Sequence, residues 1–385
     1  MPLVVALVGG ACAWFAFGRV ATLGPSRVVP PARRDHGTAP TSTAVDVSVI
    51  VPARNEALSL PALLTSLARS TVTPREIIVV DDNSTDETSD IARRQGATVV
   101  VAPPPPNGWL GKPWACHLGS QRSTSARLLF LDADVQLAPE AISALLAHHS
   151  APDAGLLSVQ PFHRPGRWYE QLSAVFNIVG PMGSGAFALR RAGAQRTAFG
   201  PCLLTTAADY EAAGGHAAVR EEVIEDIALA ARFDDAGRQV RVLLGGDLVS
   251  FRMYPAGLRS LVDGWTKNIA AGASRAHRPS SIAASVWVAA ISSVGVSGVV
   301  GLVSWLRGGE APRVELAAWV VAAIQVHVLL RRVGQFHVLT SVLFPLPLAF
   351  FIAVFLRSVG RLLLGRPVRW RDRDVPTRPA GASSE

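Results

Sequence analysis

Apolar residues are concentrated at the two ends of the chain. Residues 2–20 carry no charge before Arg19, and a helix of that length, at ~1.5 Å per residue, comes close to crossing a bilayer core of ~30 Å. Three more apolar runs, separated by short arginine-bearing loops, occupy residues 281–306, 314–330 and 337–356. The pattern predicts three terminal regions: a membrane anchor over residues 1–22, membrane segments over 281–356 and a basic cytoplasmic or interfacial tail over 357–385.

Arginines determine the predicted orientation of these segments. They follow the N-terminal run closely, and the positive-inside tendency therefore places the N-terminus outside and the rest of the chain in the cytoplasm. A signal peptide is the alternative for this run, but no basic region precedes it. Three C-terminal crossings would leave the arginine-rich tail outside. We therefore expect the FPLPLAFF stretch, interrupted by Pro345 and Pro347, to be re-entrant or strongly kinked.

The middle of the chain alternates strand-like and helix-like patterns. VSVIVP is typical of a buried strand, LPALLTSLARS of a helix and EIIVVD of a second strand. Two further strand-like runs, ATVVV and RLLFLD, follow, and the helical pattern PEAISALLAHH comes after them. The alternation predicts an α/β domain that begins at residue 46 and has a doubly wound, Rossmann-like sheet. A linker rich in Pro, Thr, Ser and Arg over residues 23–45 would join it to the anchor.

Polar residues stand where the predicted strands end. Asp81 and Asp82 close the second strand, and Lys112 lies in the loop after the third. Asp132 and Asp134 close the fourth strand. Ligands of doubly wound sheets bind at the carboxyl ends of the strands, so we expect these side chains to meet. Two carboxylates at this spacing suit Mg²⁺ or Mn²⁺ bound together with a diphosphate, although an Asp-x-Asp pair also caps ordinary turns.

Lysine is rare in this chain. Of 37 basic residues only Lys112 and Lys267 are lysines, and both fall in segments where we expect a phosphate site. A compact ammonium group suits a point-charge contact with phosphate, whereas arginine suits planar, bidentate contacts. We interpret both lysines as candidate diphosphate ligands, with chance as the alternative explanation of their positions.

A second group of acids lies at the start of a predicted helix. EEVIEDIALAARFDDAG has amphipathic spacing and ends at Gly237, which places Glu225 and Asp226 near the first turn. Acids there stabilise the helix dipole, but a carboxylate that faces a pocket is also able to take the proton of an acceptor hydroxyl. Asp226 is our candidate base for an inverting sugar transfer, with Glu225 assisting it.

Five segments share their order and spacing with a known enzyme family. VSVIVPARNEA, IIVVDDNSTDET, GWLGKPWAC, LLFLDADV and VIEDIALAARF resemble the motifs of family 2 glycosyltransferases with the GT-A fold. The similarity covers residues 46–275 and implies a nucleotide-sugar-binding domain. More narrowly, SVQPFHRPGRWYEQLSAVFN, AFGPCLL and SFRMYPAGLRSLVDGWTKN resemble the carotenoid-ester type of this family.

The resemblance implies a role for each matching position. The nucleotide would lie against five residues, Pro52, Arg54, Glu56, Asp82 and Lys112. Asp134 would be the chief ligand of Mg²⁺ or Mn²⁺, Asp132 would contact the ribose or the metal, and Asp226 would be the base. Processive members carry Gln-x-x-Arg-Trp after the base, whereas here VDGWTKN keeps Trp265 and lacks the arginine. We expect Lys267 to serve the diphosphate instead, and Trp265 to stack on the acceptor or to anchor the chain at the membrane interface.

Composition agrees with a membrane enzyme. Hydrophobic residues make up 49% of the chain and charged residues 17%, and the net charge of +8 favours anionic lipid over nucleic acid as a partner. We predict an inverting glycosyltransferase that moves glucose from UDP-glucose to a lipid or isoprenoid, carotenoid-like hydroxyl or carboxyl group at the cytoplasmic face of the cell membrane. A catalytically silent GT-A scaffold and a processive polysaccharide synthase are the alternatives, and the sequence leaves the oligomeric state open.

Overall fold

The computed structural model describes residues 1–25, 43–150, 154–190, 195–272, 277–364, 368–370 and 373–375. Most of the predicted linker, residues 26–42, and about half of the predicted tail therefore lie outside the described residues. The last three linker positions, 43–45, belong to the first strand instead. The chain divides into two compact units. The helical unit comprises Met1–Val20, His163–Ala192 and Met253–Trp370. The sheet unit comprises Ala21–Phe162, Gly193–Arg252 and Arg371–Glu385.

The secondary structure elements are numbered in chain order. The strands are β1 Thr43–Ala53, β2 Val72–Asp81, β3 Thr98–Val101, β4 Arg127–Leu131, β5 Val135–Leu137, β6 Ala154–Gln160, β7 Phe162–His163, β8 Cys202–Thr206, β9 Gln239–Leu244, β10 Val249–Phe251, β11 Val368–Trp370 and β12 Arg373–Val375. The helices are α1 Pro2–Phe17, α2 Leu60–Ala68, α3 Thr88–Arg94, α4 Gly111–Arg122, α5 Ala141–His149, α6 Ala174–Ser184, α7 Ala207–Ala212, α8 Glu225–Asp235, α9 Leu258–Gly272, α10 Arg278–Leu306, α11 Arg313–Val333, α12 Val338–Val342 and α13 Pro345–Leu363. Two short 3-10 helices span Trp168–Ser173 and Gly215–Val219.

The sheet unit is built on a seven-stranded sheet in the order β3-β2-β1-β4-β8-β6-β9. β1 pairs in parallel with both β2 and β4, and β2 pairs in parallel with β3. β8 runs antiparallel between β4 and β6. The sheet confirms the predicted α/β class, and the antiparallel strand makes it a mixed sheet. The carboxyl ends of β1, β2 and β4 share one edge, which is where a ligand site is expected.

The central strands carry apolar side chains on both faces. Such sequences form buried strands, because helices can cover each face of the sheet. Val49, Ile50 and Val51 of β1 are fully buried. α4 approaches β1 closely at Gly119, where an added Cβ would overlap the Ile50 side chain. This close approach matters for function because α4 begins with the segment that carries Lys112.

Helix α8 begins as its sequence predicts. Glu225 and Asp226 occupy the first turn of α8, and Gly237 follows that helix with a φ of +70°. The spacing of Ser84 and Glu87 in the sequence resembles a capping box and would start α3 at that point. α3 begins instead at Thr88, because Ser84 belongs to the turn after β2, where its amide donates to the Asp81 carboxylate at 2.9 Å.

The helical unit contains three helices, α10, α11 and α13, that are long and apolar enough to cross a membrane. α1 has 16 residues, which corresponds to ~24 Å and falls short of a bilayer core of ~30 Å. It packs closely on its neighbours: an added Cβ at Gly9 would lie 2.6 Å from Ala290 of α10, and Gln325 of α11 donates to the Ala6 carbonyl at 2.9 Å. α1 is thus part of the helical unit.

The apolar run at residues 337–356 forms two helices rather than one kinked helix. The break lies at Leu343 and Phe344, and Pro345 occupies the first turn of α13, where its missing amide hydrogen removes no helical bond. The segment YEQLSAVFNIVGPMGSGAFAL forms a 3-10 helix and α6, and Phe176, Ile178 and Met182 on α6 are buried. From its apolar, glycine-bearing sequence this segment could lie in the membrane interface or form an ordinary buried helix, and the burial of these side chains agrees with a buried helix.

Candidate active site

The loops after β1 and β2 are joined by hydrogen bonds at the carboxyl edge of the sheet. Arg54 Nη1 donates to the carbonyls of Asp82 and Asn83 at 2.5 and 3.2 Å. The Thr85 amide donates to Asn55 Oδ1 at 2.8 Å. Asn55 and Asn83 have φ values of +53° and +55°, a left-handed conformation that asparagine tolerates better than most residues. The predicted nucleotide ligands after β1 and β2 therefore lie on two connected loops.

The two neighbouring aspartates at the end of β2 have different surroundings. The Asp81 carboxylate accepts hydrogen bonds from the Ser84 amide at 2.9 Å and from Ser89 Oγ at 2.5 Å. Both Asp81 oxygens thus hold the turn that leads into α3. The Asp82 amide donates to the Ala53 carbonyl at 2.8 Å, which fixes Asp82 beside the end of β1. Asp82, rather than Asp81, remains the predicted contact of the nucleotide.

Three elements of the sheet unit bring Lys112, Asp132 and Glu225 together. Lys112 Nζ lies 2.8 Å from Asp132 Oδ1 and 2.9 Å from Glu225 Oε1. Asp132 directly follows β4, and its amide donates to the Pro201 carbonyl at 3.0 Å. Burial by itself disfavours the ammonium form of Lys112, but the two carboxylates outweigh it and hold the pKa of Lys112 well above its usual value. The lysine is therefore a fixed positive charge between two acids.

Asp226 lies next to this cluster and is held by backbone amides. Its Oδ2 accepts from the Gly200 amide at 2.6 Å, and its Oδ1 accepts from the Ile227 amide at 2.9 Å. Burial and the adjacent Glu225 carboxylate raise the pKa of Asp226 to about 7, while Lys112 and the two amides oppose this rise. A carboxyl group with this pKa exchanges a proton near neutral pH, as a general base must.

Gly200 is a site residue that the sequence reasoning did not single out. An added Cβ there would lie 3.1 Å from Asp226 Oδ2 and 3.2 Å from Lys112 Nζ. The Gly200 amide thus donates to the Asp226 carboxylate, and the absence of a side chain at Gly200 leaves room for that carboxylate. The segment AFGPCLL was noticed only as part of the family resemblance, and its glycine immediately before Pro201 was the available signal.

The carboxylates at the end of β4 fit a divalent cation that has few protein ligands. Asp134 follows Asp132 within a turn, in which the Val135 amide donates to the Asp132 carbonyl at 3.1 Å. Among the described residues no group of three or more His, Cys, Asp or Glu side chains could hold a metal ion. Mg²⁺ and similar hard cations usually bind one or two carboxylates and complete their shell with water and substrate phosphate. The donor set is therefore compatible with Mg²⁺ or Mn²⁺.

Lys267 and Trp265 lie on α9 of the helical unit, apart in sequence from the other predicted ligands. The Trp265 ring stacks on Phe176 with a centroid distance of 4.5 Å and an interplanar angle of 17°. Its indole N–H donates to Ser173 Oγ at 3.0 Å. One face of Trp265 is thus occupied within the helical unit, which supports a packing role. The role of Lys267 at the diphosphate stays a prediction.

Comparison with known proteins establishes the family. The profile of "Glycosyl transferase family 2" matches residues 48–209. The 4,4'-diaponeurosporenoate glycosyltransferase of Staphylococcus aureus (strain USA300) is 36% identical over 332 residues, covering 85% of this chain and 87% of that protein. This chain belongs to glycosyl transferase family 2. The same enzyme from strain MRSA252 is 37% identical to this glycosyltransferase over 333 residues, with the same coverage.

A solved structure supports the fold of this glycosyltransferase along nearly its whole length. The mannosyltransferase PcManGT from Pyrobaculum calidifontis, solved in complex with GDP-Man and Mn²⁺, is 16% identical with a TM-score of 0.50. The match covers 94% of this chain and 99% of that chain. At this identity the likeness concerns the fold alone, and it agrees with the GT-A architecture predicted from the sequence. The roles of the individual site residues rest on the geometry described above and stay predictions.

Proposed function

We propose that this glycosyltransferase inverts the anomeric centre as it moves glucose from UDP-glucose to a lipid or isoprenoid acceptor at the cytoplasmic face of the membrane. The observation that carries the proposal is the position of Asp226, a carboxyl group with a pKa of about 7, beside the Lys112 ammonium group. Lys112 in turn contacts Asp132 at the end of β4. A base, a fixed cation and a candidate metal ligand thus meet at the edge where doubly wound sheets bind ligands.

The donor side of the proposal comes from the connected loops after β1 and β2. Pro52, Arg54, Glu56 and Asp82 would face the uridine, as the family resemblance implies. Lys112 would place a positive charge near the diphosphate, and a lysine ammonium group binds phosphate as a point charge. Its two carboxylate partners at 2.8 and 2.9 Å hold the ammonium group in place before the donor arrives. Lys267 is our proposed second cation for the diphosphate.

Asp134, with Asp132, would hold Mg²⁺ or Mn²⁺. A bound divalent metal neutralises the negative charge that grows on the leaving diphosphate. Asp132 has two roles in this proposal, because one of its oxygens already contacts Lys112 at 2.8 Å. We propose that this contact orients the carboxylate, so that its other oxygen faces the donor.

The acceptor side of the proposal comes from the relatives and from the helical unit. The similar Staphylococcus aureus enzyme is named for diaponeurosporenoate, and the ending of that name denotes a carboxylate. Candidate membrane helices α10 and α11 would keep the enzyme where such an apolar acceptor resides. We therefore propose a carotenoid-like acceptor that reacts through a carboxylate or a hydroxyl oxygen.

The proposed reaction is a direct displacement at the anomeric carbon. The acceptor oxygen forms a bond to that carbon while the bond from the carbon to the diphosphate oxygen breaks, and the configuration inverts. With a hydroxyl acceptor the released proton goes to Asp226, which the Gly200 and Ile227 amides keep in one orientation. With a carboxylate acceptor no proton is released, so Asp226 would act only through its charge.

The test is UDP release coupled to product formation. Detergent-purified enzyme is incubated with UDP-glucose, Mg²⁺ or Mn²⁺, and either an apocarotenoid carboxylic acid or a long-chain isoprenol. We expect UDP and a glucosylated lipid only when metal and acceptor are both present. Asp235→Asn, which alters an exposed ion pair with Arg196, is the matched control. Absence of turnover with every nucleotide sugar and both acceptors would overturn the proposal, and turnover without divalent metal would overturn the role of Asp134.

A further inference from the structure

The start of the hairpin formed by α12 and α13 is held by the side chain of Gln171. Gln171, in the 3-10 helix Trp168–Ser173, accepts two hydrogen bonds through Oε1. The His337 amide donates to it at 3.1 Å and Thr340 Oγ1 donates at 2.8 Å. The chain therefore starts this hairpin from a point fixed beside Gln171.

The second arm, α13, contacts the same short stretch of chain, residues 171–176. Phe351 of α13 lies against Phe176 with a centroid distance of 4.9 Å, and Phe350 lies 6.0 Å from the same ring. Gln171 and Phe176 are five positions apart. Further along α13, Ser358 Oγ donates to the Thr266 carbonyl of α9 at 2.9 Å. Both arms of the hairpin thus meet one local surface of the helical unit.

The tip of the hairpin still enters the interior of the helical unit. Gly295, in the middle of α10, has no side chain where Pro345 packs, and an added Cβ would lie 3.2 Å from Pro345 Cγ. The Trp319 indole of α11 donates to the Val342 carbonyl at 2.9 Å. The Val342 carbonyl, next to the break between α12 and α13, therefore has a hydrogen-bond donor from the protein. Non-helical backbone within a membrane requires such a partner, because no water is available there.

The length of α13 alone would allow a crossing, because its 19 residues rise ~28 Å. Its direction is indicated by its contacts instead. Phe351 lies against Phe176, five positions from the Gln171 side chain that holds the start of α12. Ser358, further along α13, bonds to α9. α13 therefore leads from the tip back towards the segment beside which α12 begins.

We propose that α12 and α13 form a re-entrant hairpin that enters the bilayer and returns to the face from which it started. Its surface partner is the acyl chains of the lipids around it. Apolar side chains near the tip are exposed, among them Val338, Leu339, Leu343 and Leu346, with exposed fractions of 62%, 67%, 45% and 62%. They continue the exposed apolar surfaces of α10 and α11, which include Val296 and Ile324.

Charged residues identify the leaflet. Arg332, near the end of α11, donates to the Phe17 carbonyl at 2.8 Å, and its guanidinium lies 5.5 Å from the Trp14 ring centroid. Arginine and tryptophan together are typical of a membrane interface. The hairpin begins five positions after Arg332, and Arg357 in the last part of α13 donates to Asp263 at 2.8 Å. Both ends of the hairpin therefore belong to the arginine-rich face, and the charge conflict of three crossings disappears.

The experiment locates three protease-cleavable tags in membrane vesicles of known orientation. One tag follows Glu385, one is inserted within residues 26–42, and one is inserted between Gly308 and Gly309 after α10. We expect the first two to be cleaved in the same vesicles and the third only in vesicles of the opposite orientation. Cleavage of the C-terminal tag together with the Gly308 tag would show three crossings and overturn the hairpin. Cleavage of all three together would show that α10 and α11 do not span.

A depth measurement tests the hairpin without tags. A fluorophore is attached to a Leu363→Cys variant carrying Cys12→Ser, since the other two cysteines, Cys116 and Cys202, are buried. Leu363 is 76% exposed at the end of α13, where a returning and a crossing helix lie on opposite faces. Quenching lipids are then added to one leaflet at a time. We expect quenching at Leu363 from the arginine-rich leaflet only, and quenching from the opposite leaflet would overturn the proposal. Neither readout depends on the proposed chemistry.

Discussion

Replacing Asp226 with asparagine tests which oxygen of the acceptor reacts. Asparagine keeps the shape of the side chain and an oxygen for the Gly200 amide, which lies 2.6 Å from Asp226 Oδ2 in the native enzyme, but its NH2 group then faces the Ile227 amide, which donates to Oδ1 at 2.9 Å. The substitution also removes the ability to take a proton and the negative charge that Asp226 carries above its pKa of about 7. The lost hydrogen bond affects reaction with every acceptor, whereas the lost proton transfer affects only a hydroxyl acceptor. Comparison of two acceptors therefore separates proton transfer from the structural effect.

The expected magnitude differs between the two classes of acceptor. A positioned general base contributes about 10²–10⁴-fold to a rate, or ~3–5 kcal/mol of activation free energy. We expect Asp226→Asn to lose that factor in kcat with a hydroxyl acceptor. A carboxylic acid with an ordinary pKa of ~4 is already ionised at neutral pH, so no proton needs to be removed. With that acceptor we expect kcat to change by less than about tenfold.

The pH dependence of kcat/KM gives a second readout, because its slope is expected to have opposite signs for the two classes of acceptor. With a hydroxyl acceptor only the ionised form of Asp226 accepts the proton, so kcat/KM rises with pH through about 7. With a carboxylate acceptor the ionised Asp226 repels the substrate, so kcat/KM falls over the same range. Both slopes should disappear in Asp226→Asn.

The assay is initial-rate UDP release with an isoprenol and with an apocarotenoid acid, for native enzyme and variant, across the pH range around neutrality. Asp235→Asn again serves as the matched control. If Asp226→Asn kept its full rate with the isoprenol, the assignment of Asp226 as base would be refuted. Equal losses with both acceptors, together with a raised KM for UDP-glucose, would make Asp226 a binding or structural residue instead.

Three further predictions concern other residues of the candidate site. Asp134→Ala should lower metal-dependent turnover by at least about 100-fold and abolish metal-dependent nucleotide binding, with an unchanged thermal unfolding profile. Lys112→Met leaves Asp132 and Glu225 without their counter-charge, so the KM for UDP-glucose should rise about tenfold, while Lys112→Arg restores part of the loss. Gly200→Ala adds a methyl group 3.1 Å from Asp226 Oδ2, and loss of that charge-assisted hydrogen bond, ~1.5–3 kcal/mol, should lower kcat about 10- to 100-fold. Gly180→Ala, with no atom within 4 Å of the added Cβ, should leave kcat unchanged.

The sheet and the acids at its edge were predictable because each depends on a local pattern. Asp82 and Asp132 follow apolar runs that form β2 and β4, and parallel neighbours bring such ends together. Gly200 was not predictable in this way. It meets Asp226 because antiparallel β8 pairs with β4 and because α8 begins beside it. That arrangement joins segments that no local periodicity relates.

The path of the C-terminal run shows a second limit of local patterns. Hydropathy measures how apolar a segment is, and by that measure α13 matches the crossing helices. The direction in which a segment leaves the bilayer depends on what holds its two ends. Here one end is held by the bond from Thr340 to Gln171, which are 169 positions apart, and the other by Phe176. From the sequence alone, arginine placement predicts a return to one face, because interfacial charge is a constraint on the whole topology rather than on one segment. The tag and depth measurements test that prediction.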